Sequence, residues 1–133
     1  MRVDLDTCIL IYLIEGPAPF DTRVRNHIST LQAAGHSFAM SEFTRLECLV
    51  KPLATGSAAD VASYQTFFAG SHVRMFPVTA AVWERAARIG ATFNLKPLDS
   101  VHLGTAVEHG CGLFLTNDAT LARCTDIPVE VLT

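Results

Sequence analysis

Four acidic residues, Asp6, Glu47, Asp99 and Asp118, are spread along a chain of 133 residues, each beside a segment suited to a parallel sheet or its helices. Carboxylate oxygens are hard ligands that suit Mg2+ or Mn2+, and magnesium sites combine one or two carboxylates with water and substrate phosphate oxygens. Four such groups in one place would repel one another unless a cation sat among them. The chemistry they would then support is metal-assisted phosphoryl transfer, with acidified water, in-line attack and a neutralised leaving oxygen. The acids alone do not say whether the ester belongs to RNA, DNA or a small molecule.

Each acid also has a simpler explanation. Asp6 and Asp118 stand where helices begin and can act as N-caps, and Asp99 favours its helix by lying near the positive end of the macrodipole. Glu47 resists this treatment. Phe43, Leu46, Glu47 and Val50 fall at the spacing of one apolar stripe, which sets a carboxylate on a face expected to turn inward. An unpaired charge buried there costs on the order of several kcal/mol. The ordinary alternative for Glu47 is an exposed pair with Lys51, four residues on.

The elements that must deliver these groups follow from periodicity and capping residues. Residues 2–6 alternate as a strand and run into the apolar helix TCILIYLIE, after which Gly16-Pro17-Ala18-Pro19 breaks the chain. Asp21 is placed to cap a helix reaching about Ala34, and residues 37–40 form a second strand. Ser41 caps a helix through about Val50, which Pro52 and Gly56 should end. A helix over 58–68 and a strand over 73–77 follow. Thr79 then caps a helix whose core face carries Val82, Ala86, Ile89 and Phe93. Pro97 opens the next helix, with Asp99, Ser100 and His102 in its first turns, and His109-Gly110 closes it. Residues 113–115 read as a buried strand, Thr116-Asn117-Asp118 cap a short helix to about Arg123, and 129–132 supply the last strand.

This alternation predicts an α/β fold of three layers, a mainly parallel central sheet flanked by helices, as a single domain over 1–133. Asp6 and Asp118 directly follow strands, so both should emerge at the carboxyl edge of the sheet, where open α/β folds place their ligands.

Half the residues are hydrophobic and 17% are charged, which supports a packed core and argues against disorder. The longest apolar run, 8–14, is too short to span a bilayer, and acids at positions 4 and 6 do not fit a secretory signal, so a cytoplasmic, membrane-free protein is expected. Cys8, Cys48, Cys111 and Cys124 show no paired spacing and read as buried free thiols. With 13 acids against 10 bases there is no global basic field to attract nucleic acid, so any contact needs a local patch. Arg23, Arg25, Arg45 and Lys51 are candidates for one, against a default of solubilising charge. Trp83 and Phe67-Phe68 are expected in the core or a dimer interface rather than as base-stacking surfaces, and Tyr12 and Phe20 carry no distinguishing signal.

In order and spacing, VDLDTCILIYLIEG at 3–16, S-x-x-T-x-x-E at 41–47, LDSVHLGTA at 98–106 and LFLTND at 113–118 resemble the PIN-domain ribonucleases, especially the VapC-type toxins of bacterial toxin–antitoxin pairs. The resemblance covers essentially the whole chain. It implies that Asp6, Glu47, Asp99 and Asp118 are the catalytic acids and metal ligands of an Mg2+- or Mn2+-dependent endoribonuclease acting on RNA phosphodiesters. Thr7, Thr116 and Asn117 become supporting polar groups. A homodimer and a cognate antitoxin protein, whose tail covers the site, are also implied.

His102 shares a helix face with Asp99 and is a further supporting candidate, or else a packed histidine bonded to backbone. Cys8 stands where the family commonly has Asn. Asp4 is expected to form a salt bridge or face solvent, with metal binding as the lesser option. Two other readings compete. In a haloacid-dehalogenase-type phosphatase Asp4 would be the nucleophile and Asp6 the acid and base, but that family's threonine falls on Cys8 and no lysine follows Lys96. The other is a PIN-like domain that only binds RNA or protein.

Overall fold

The computed structural model describes residues 1–132. Its elements are β1 (Arg2–Leu5), α1 (Thr7–Glu15), α2 (Phe20–Ala33), β2 (Ser37–Ser41), α3 (Phe43–Thr55), α4 (Ala58–Ala69), β3 (Val73–Phe76), α5 (Ala80–Phe93), α6 (Pro97–Glu108), β4 (Leu113–Thr116), a 3-10 helix (Ala119–Arg123) and β5 (Val129–Val131). The five strands form one sheet in the order β3-β2-β1-β4-β5, and every pairing is parallel. Each parallel step needs a crossover, which the intervening helices provide. The fold is the α/β layering that the sequence predicts.

Strand order decides where ligands can enter. The chain builds outward from β1 through β2 to β3, then returns to place β4 and β5 on the other side of β1. Crossovers on the two sides diverge at this reversal and leave a crevice beyond the carboxyl ends of β1 and β4. Leu5 pairs in register with Leu115, and the Asp6 backbone N–H donates to the Leu115 carbonyl at 2.9 Å, carrying the pairing one residue past β1. Asp6 therefore stands at the lip of the crevice.

The period of two along each strand divides the core. Val3, Leu5, Phe38, Met40, Leu113 and Leu115 pack with Ile9, Val24, Cys48, Tyr64 and Phe68 from the helices on one face. Ala39, Phe76 and Phe114 pack on the other with Ile89, Leu103, Ala106 and Leu121. Seven consecutive residues of α6, Ser100 to Ala106, are buried, so this helix is an interior element and not an amphipathic one. Among the described residues, no helix is long and apolar enough to cross a membrane.

Two local expectations are corrected. Asp21 does not cap α2, which starts one residue earlier at Phe20; the carboxylate lies in the first turn and accepts from the Thr22 N–H at 2.8 Å. Pro52 does not end α3, which continues to Thr55 and stops at Gly56 in the left-handed region at φ 72°. A proline in the last turn removes one helical hydrogen bond but still offers its carbonyl, which accepts from the Ser57 N–H at 2.9 Å. Ser41 belongs to β2 and still caps in part, its Oγ accepting from the Phe43 N–H at 3.2 Å.

The α5–α6 contact depends on one small residue. A Cβ at Gly104 would lie 3.1 Å from the Ala86 nitrogen and 3.2 Å from the Val82 carbonyl oxygen, backbone atoms that cannot rotate away. Gly104→Val is therefore expected to destabilise the protein by about 1–3 kcal/mol. Urea unfolding checks this, with a lower midpoint at unchanged slope as the expected result.

Candidate functional site

Asp6, Asp99 and Asp118 arrive at the crevice by three routes. Asp6 follows β1 and caps α1: its Oδ1 accepts from the Thr7 N–H at 2.8 Å and its Oδ2 from the Thr116 hydroxyl at 2.7 Å. Asp118 follows β4 and caps the 3-10 helix, its Oδ1 accepting from the Thr120 N–H at 2.9 Å. Thr116 ties these two together, because the oxygen that donates to Asp6 also accepts from the Asp118 N–H at 3.0 Å. Asp99 sits in the first turn of α6, whose direction opposite to the strands brings its N-terminus to the same edge. Helix N-termini carry partial positive charge and unpaired N–H groups, so each acid occupies a place where a carboxylate is favoured.

That favourable setting does not cancel their mutual repulsion. Burial raises the pKa of Asp99, and the Asp6 and Asp118 carboxylates raise it further, while His102 and Lys96 pull the other way without prevailing. Among the described residues, none of the three pairs with a lysine, arginine or histidine within 4.0 Å. Nor are any three His, Cys, Asp or Glu side chains gathered tightly enough to hold an ion as they stand. The aspartates thus share an electrostatic field without converging on one point. Hard oxygens, uncompensated and at the mouth of a crevice, are the donor chemistry that a divalent cation takes.

Glu47 lies beside this group under different control. Its Oε1 accepts from the Thr7 hydroxyl at 2.7 Å and is bonded by His102 Nε2. Burial alone would raise the Glu47 pKa, but the His102 hydrogen bond and charge, with the Thr7 hydroxyl, outweigh it and hold the carboxyl below its usual range. Thr7 Oγ1 lies 3.1 Å from Thr44 Oγ1 and 3.3 Å from His102 Nε2, closing a buried polar network. His102 is a packed histidine, as one reading expected, but its partners are side chains and not backbone. Its other nitrogen, Nδ1, has no partner among the described residues.

The stripe of Phe43, Leu46, Glu47 and Val50 does not face inward. Leu46 and Val50 are 57% and 56% exposed, and the buried face of α3 is Thr44, Cys48 and Pro52. The exposed alternative also fails, since Lys51 reaches Glu15 at 3.8 Å. Glu47 is half-buried on the flank of α3, where it meets His102 from the interior helix α6.

Asp4 is corrected as well. It forms no salt bridge and does not face solvent: it is fully buried, in register with Ala39 and Phe114 on the α5–α6 face of the sheet. Its Oδ1 has no partner among the described residues, and its Oδ2 has only the weak Cys111 thiol at 4.0 Å. A group so enclosed cannot attack a phosphate ester, which removes the phosphatase reading. Cys8 makes a similar weak contact, its Sγ 3.5 Å from Asp6 Oδ2 and 3.7 Å from Thr116 Oγ1. Burial, with the Asp6 charge, pushes the Cys8 thiol up to about 12, so it is neutral and supplies no ligand charge. Cys48, Cys111 and Cys124 are buried free thiols.

Of the candidate basic residues, three are occupied: Arg25 donates to the Leu13 carbonyl at 2.7 Å, Arg45 pairs with Glu42, and Lys51 pairs with Glu15. Arg23 pairs with no acid among the described residues and lies 5.6 Å from the Phe20 ring. Tyr12 and Phe20, which the sequence does not single out, come to the acidic edge through Asn117, whose side-chain amide donates to the Tyr12 hydroxyl at 2.8 Å. Trp83 is not in the core, being 52% exposed.

A parallel sheet with an aspartate just beyond each of two adjacent strands, β1 and β4, and a third delivered by an interior helix, defines a class of α/β domain with an acidic site at its topological reversal. The PIN domain sequence profile matches residues 4–126, and the chain belongs to that family. No curated protein matches the chain in sequence. Solved structures resemble it along nearly its whole length. VapBC2 from Rickettsia felis, solved bound to a promoter DNA fragment, superposes with a TM-score of 0.79 at 16% identity over 100% of both chains. DNA-bound VapBC from Salmonella typhimurium gives 0.75 at 20% identity, over 100% of this chain and 99% of that one. VapC20 from Mycobacterium tuberculosis, described as a toxin that cleaves the sarcin–ricin loop, gives 0.67 at 14% identity over 84% and 86%. At these identities the likeness is one of fold.

The buried Asp4 carries a measurable consequence. Burial first, and then the Asp6 charge, raise its pKa well above the usual aspartate value. As pH rises from that usual value toward the raised one, the unfolded chain loses this proton while the folded chain keeps it, so stability falls. The contribution reaches about 1.4 kcal/mol per pH unit for one proton. Asp4→Asn, which cannot ionise, is expected to flatten that decline in urea unfolding measured from pH 4 to 8 in metal-free buffer.

Proposed function

We propose that this chain is a divalent-metal-dependent endoribonuclease, the toxin of a VapBC-type toxin–antitoxin pair, formed by one PIN domain over 1–133. The observation that carries the reading is the group of three aspartates at the reversal of a PIN-family sheet, none of them ion-paired with a basic side chain within 4.0 Å among the described residues. The likeness in fold to VapBC structures, and to a VapC described as cleaving the sarcin–ricin loop, supports it. Asp6, Asp99, Asp118 and Glu47 would hold Mg2+ or Mn2+, with Glu47 kept as a carboxylate by His102 and Thr7. The ion supplies Lewis-acid polarisation of a phosphoryl oxygen and acidification of water at neutral pH.

The chain's own residues do the positioning. Thr116 and the Thr7 N–H keep the Asp6 carboxylate in one orientation, which spares rotamer loss on binding. His102, aided by Thr7, does the same for Glu47 and keeps it ionised. Asn117 stands between the two residues that form the Asp6–Thr116–Asp118 link. The cytoplasm and two protein partners complete the reading: a cognate antitoxin and a second copy of the chain. Leu46, Val50 and Leu53 on α3, Trp83 on α5 and Leu98 on α6, each about half or more exposed, support this part of the reading as apolar side chains open to a partner. A protein that merely binds RNA would not need to keep three repelling carboxylates together, which disfavours the non-catalytic alternative.

The purified protein is expected to cleave RNA with Mg2+ or Mn2+ and to stop on chelation. Asp99→Asn should lower the rate by roughly a hundredfold or more, the order expected when several kcal/mol of charge stabilisation is lost. Its melting temperature should hold or rise, because one member of the repelling group has been neutralised. Cleavage that survives chelation, or full activity in the variant, contradicts the mechanism.

A further inference from the structure

Next to the acids the sheet edge opens into a cavity of about 160 Å3, lined by Ile9, Tyr12, Phe20, Arg23, Val24 and Asn117 among others. Its composition is uneven in a way that chemistry can use. The Tyr12 and Phe20 rings lie 6.0 Å apart with a tilt of 37°, and Phe20 is 46% exposed, so part of its ring is open to a ligand. The Arg23 guanidinium stands over the same ring at 5.6 Å with no acid to pair with among the described residues. Asn117 donates one amide hydrogen to Tyr12 and keeps a second hydrogen and a carbonyl oxygen.

We propose that this cavity is a subsite for one unpaired nucleobase of the RNA, next to the phosphodiester that the acids process. The ligand's identity rests on the ribonuclease reading. Aromatic faces and an arginine plane are the surfaces on which unpaired bases stack, and a side-chain amide matches the donor–acceptor edge of a base. The placement fits a nucleotide step: Asn117 is the residue between Thr116, which holds Asp6, and Asp118. A base held by Phe20 and Asn117 would leave its phosphate facing the carboxylates, and Arg23 would meet the flanking phosphate. In a protein of net charge −3, an unpaired cation and exposed aromatic surface here meet the acidic edge. Phe20, Arg23 and Asn117 would then set which nucleotide is tolerated beside the cut.

The test separates binding from cleavage. Short single-stranded RNAs carrying 2-aminopurine are titrated in EDTA with the wild type, Phe20→Leu and Arg23→Gln, and cleavage of a mixed RNA pool is mapped with Mg2+. The wild type should quench the fluorescent base, and each variant should bind roughly tenfold more weakly, as loss of one stacking contact predicts. Nucleotide preference beside the cut should flatten in the same variants. Arg23 is exposed, so its variant keeps the test valid if Phe20→Leu does not fold. RNA bound equally by all three proteins, or not bound by the wild type, overturns the subsite. Variants that lose only inhibition by a protein partner overturn it too, because the cavity then seats peptide. Binding through Phe20 and Arg23 without any cleavage leaves the subsite standing and removes the ribonuclease reading.

Discussion

Mutual repulsion among Asp6, Asp99 and Asp118 is the constraint around which the rest of this protein is arranged. Burial and the neighbouring Asp6 and Asp118 charges raise the proton affinity of Asp99, and such a group persists only where the fold supplies compensating fields and rigid attachment. The parallel sheet supplies the attachment. Its strand order reverses between β1 and β4, so two strand ends meet there, and backbone pairing carries Asp6 just beyond the last β1 residue. The helix starts beside the acids supply the fields: Asp6 caps α1, Asp99 lies in the first turn of α6 and Asp118 caps the 3-10 helix. Thr116, which bonds both neighbouring aspartate segments through one hydroxyl, makes them a single rigid unit. What remains uncompensated is negative charge facing outward, which is what a divalent cation removes.

Glu47 shows how a fourth carboxylate is managed without adding to that repulsion. His102, buried on the interior helix α6, reaches it across the site, and Thr7 adds a hydroxyl from the start of α1. This network ties α1, α3 and α6 together directly behind the aspartates, so distortion of any one helix would be felt by all four acids. The same helices pack through close contacts, as at Gly104 against Ala86 and Val82. Rigidity near the site and charge separation within it therefore have a common structural source.

Much of this was legible before the fold was known, and the misses have identifiable physical causes. Strand-then-helix alternation at 2–15 and 113–123 placed Asp6 and Asp118 at the carboxyl edge because direction in a parallel sheet leaves no choice. The four motifs of the PIN resemblance located the same acids. Periodicity misread α3: Phe43, Leu46 and Val50 make an apolar stripe, yet the inward side is Thr44, Cys48 and Pro52, because a helix can present apolar residues to a partner as well as to its own core. Asp4 was misplaced because a charged residue in a strand reads as outward, and only the β1 register with Ala39 and Phe114 reveals that both faces of this sheet are covered. Tyr12 and Phe20 gave no signal since their meeting with Asn117 joins segments about a hundred residues apart, a relation that no local pattern encodes.

The most direct test asks whether the aspartate group is a cation site at all, independently of any substrate. Melting temperature is followed as Mn2+ is added to the metal-free protein and to Asp6→Asn, a substitution that retains an N-cap for α1. Binding to the folded state alone raises stability with ligand concentration, by about 2.7 kcal/mol at a hundred times the dissociation constant. The wild type should show a saturating rise that Asp6→Asn lacks or shows only at far higher Mn2+. No rise in the wild type, or the same rise in both proteins, would contradict a metal site built on these three acids.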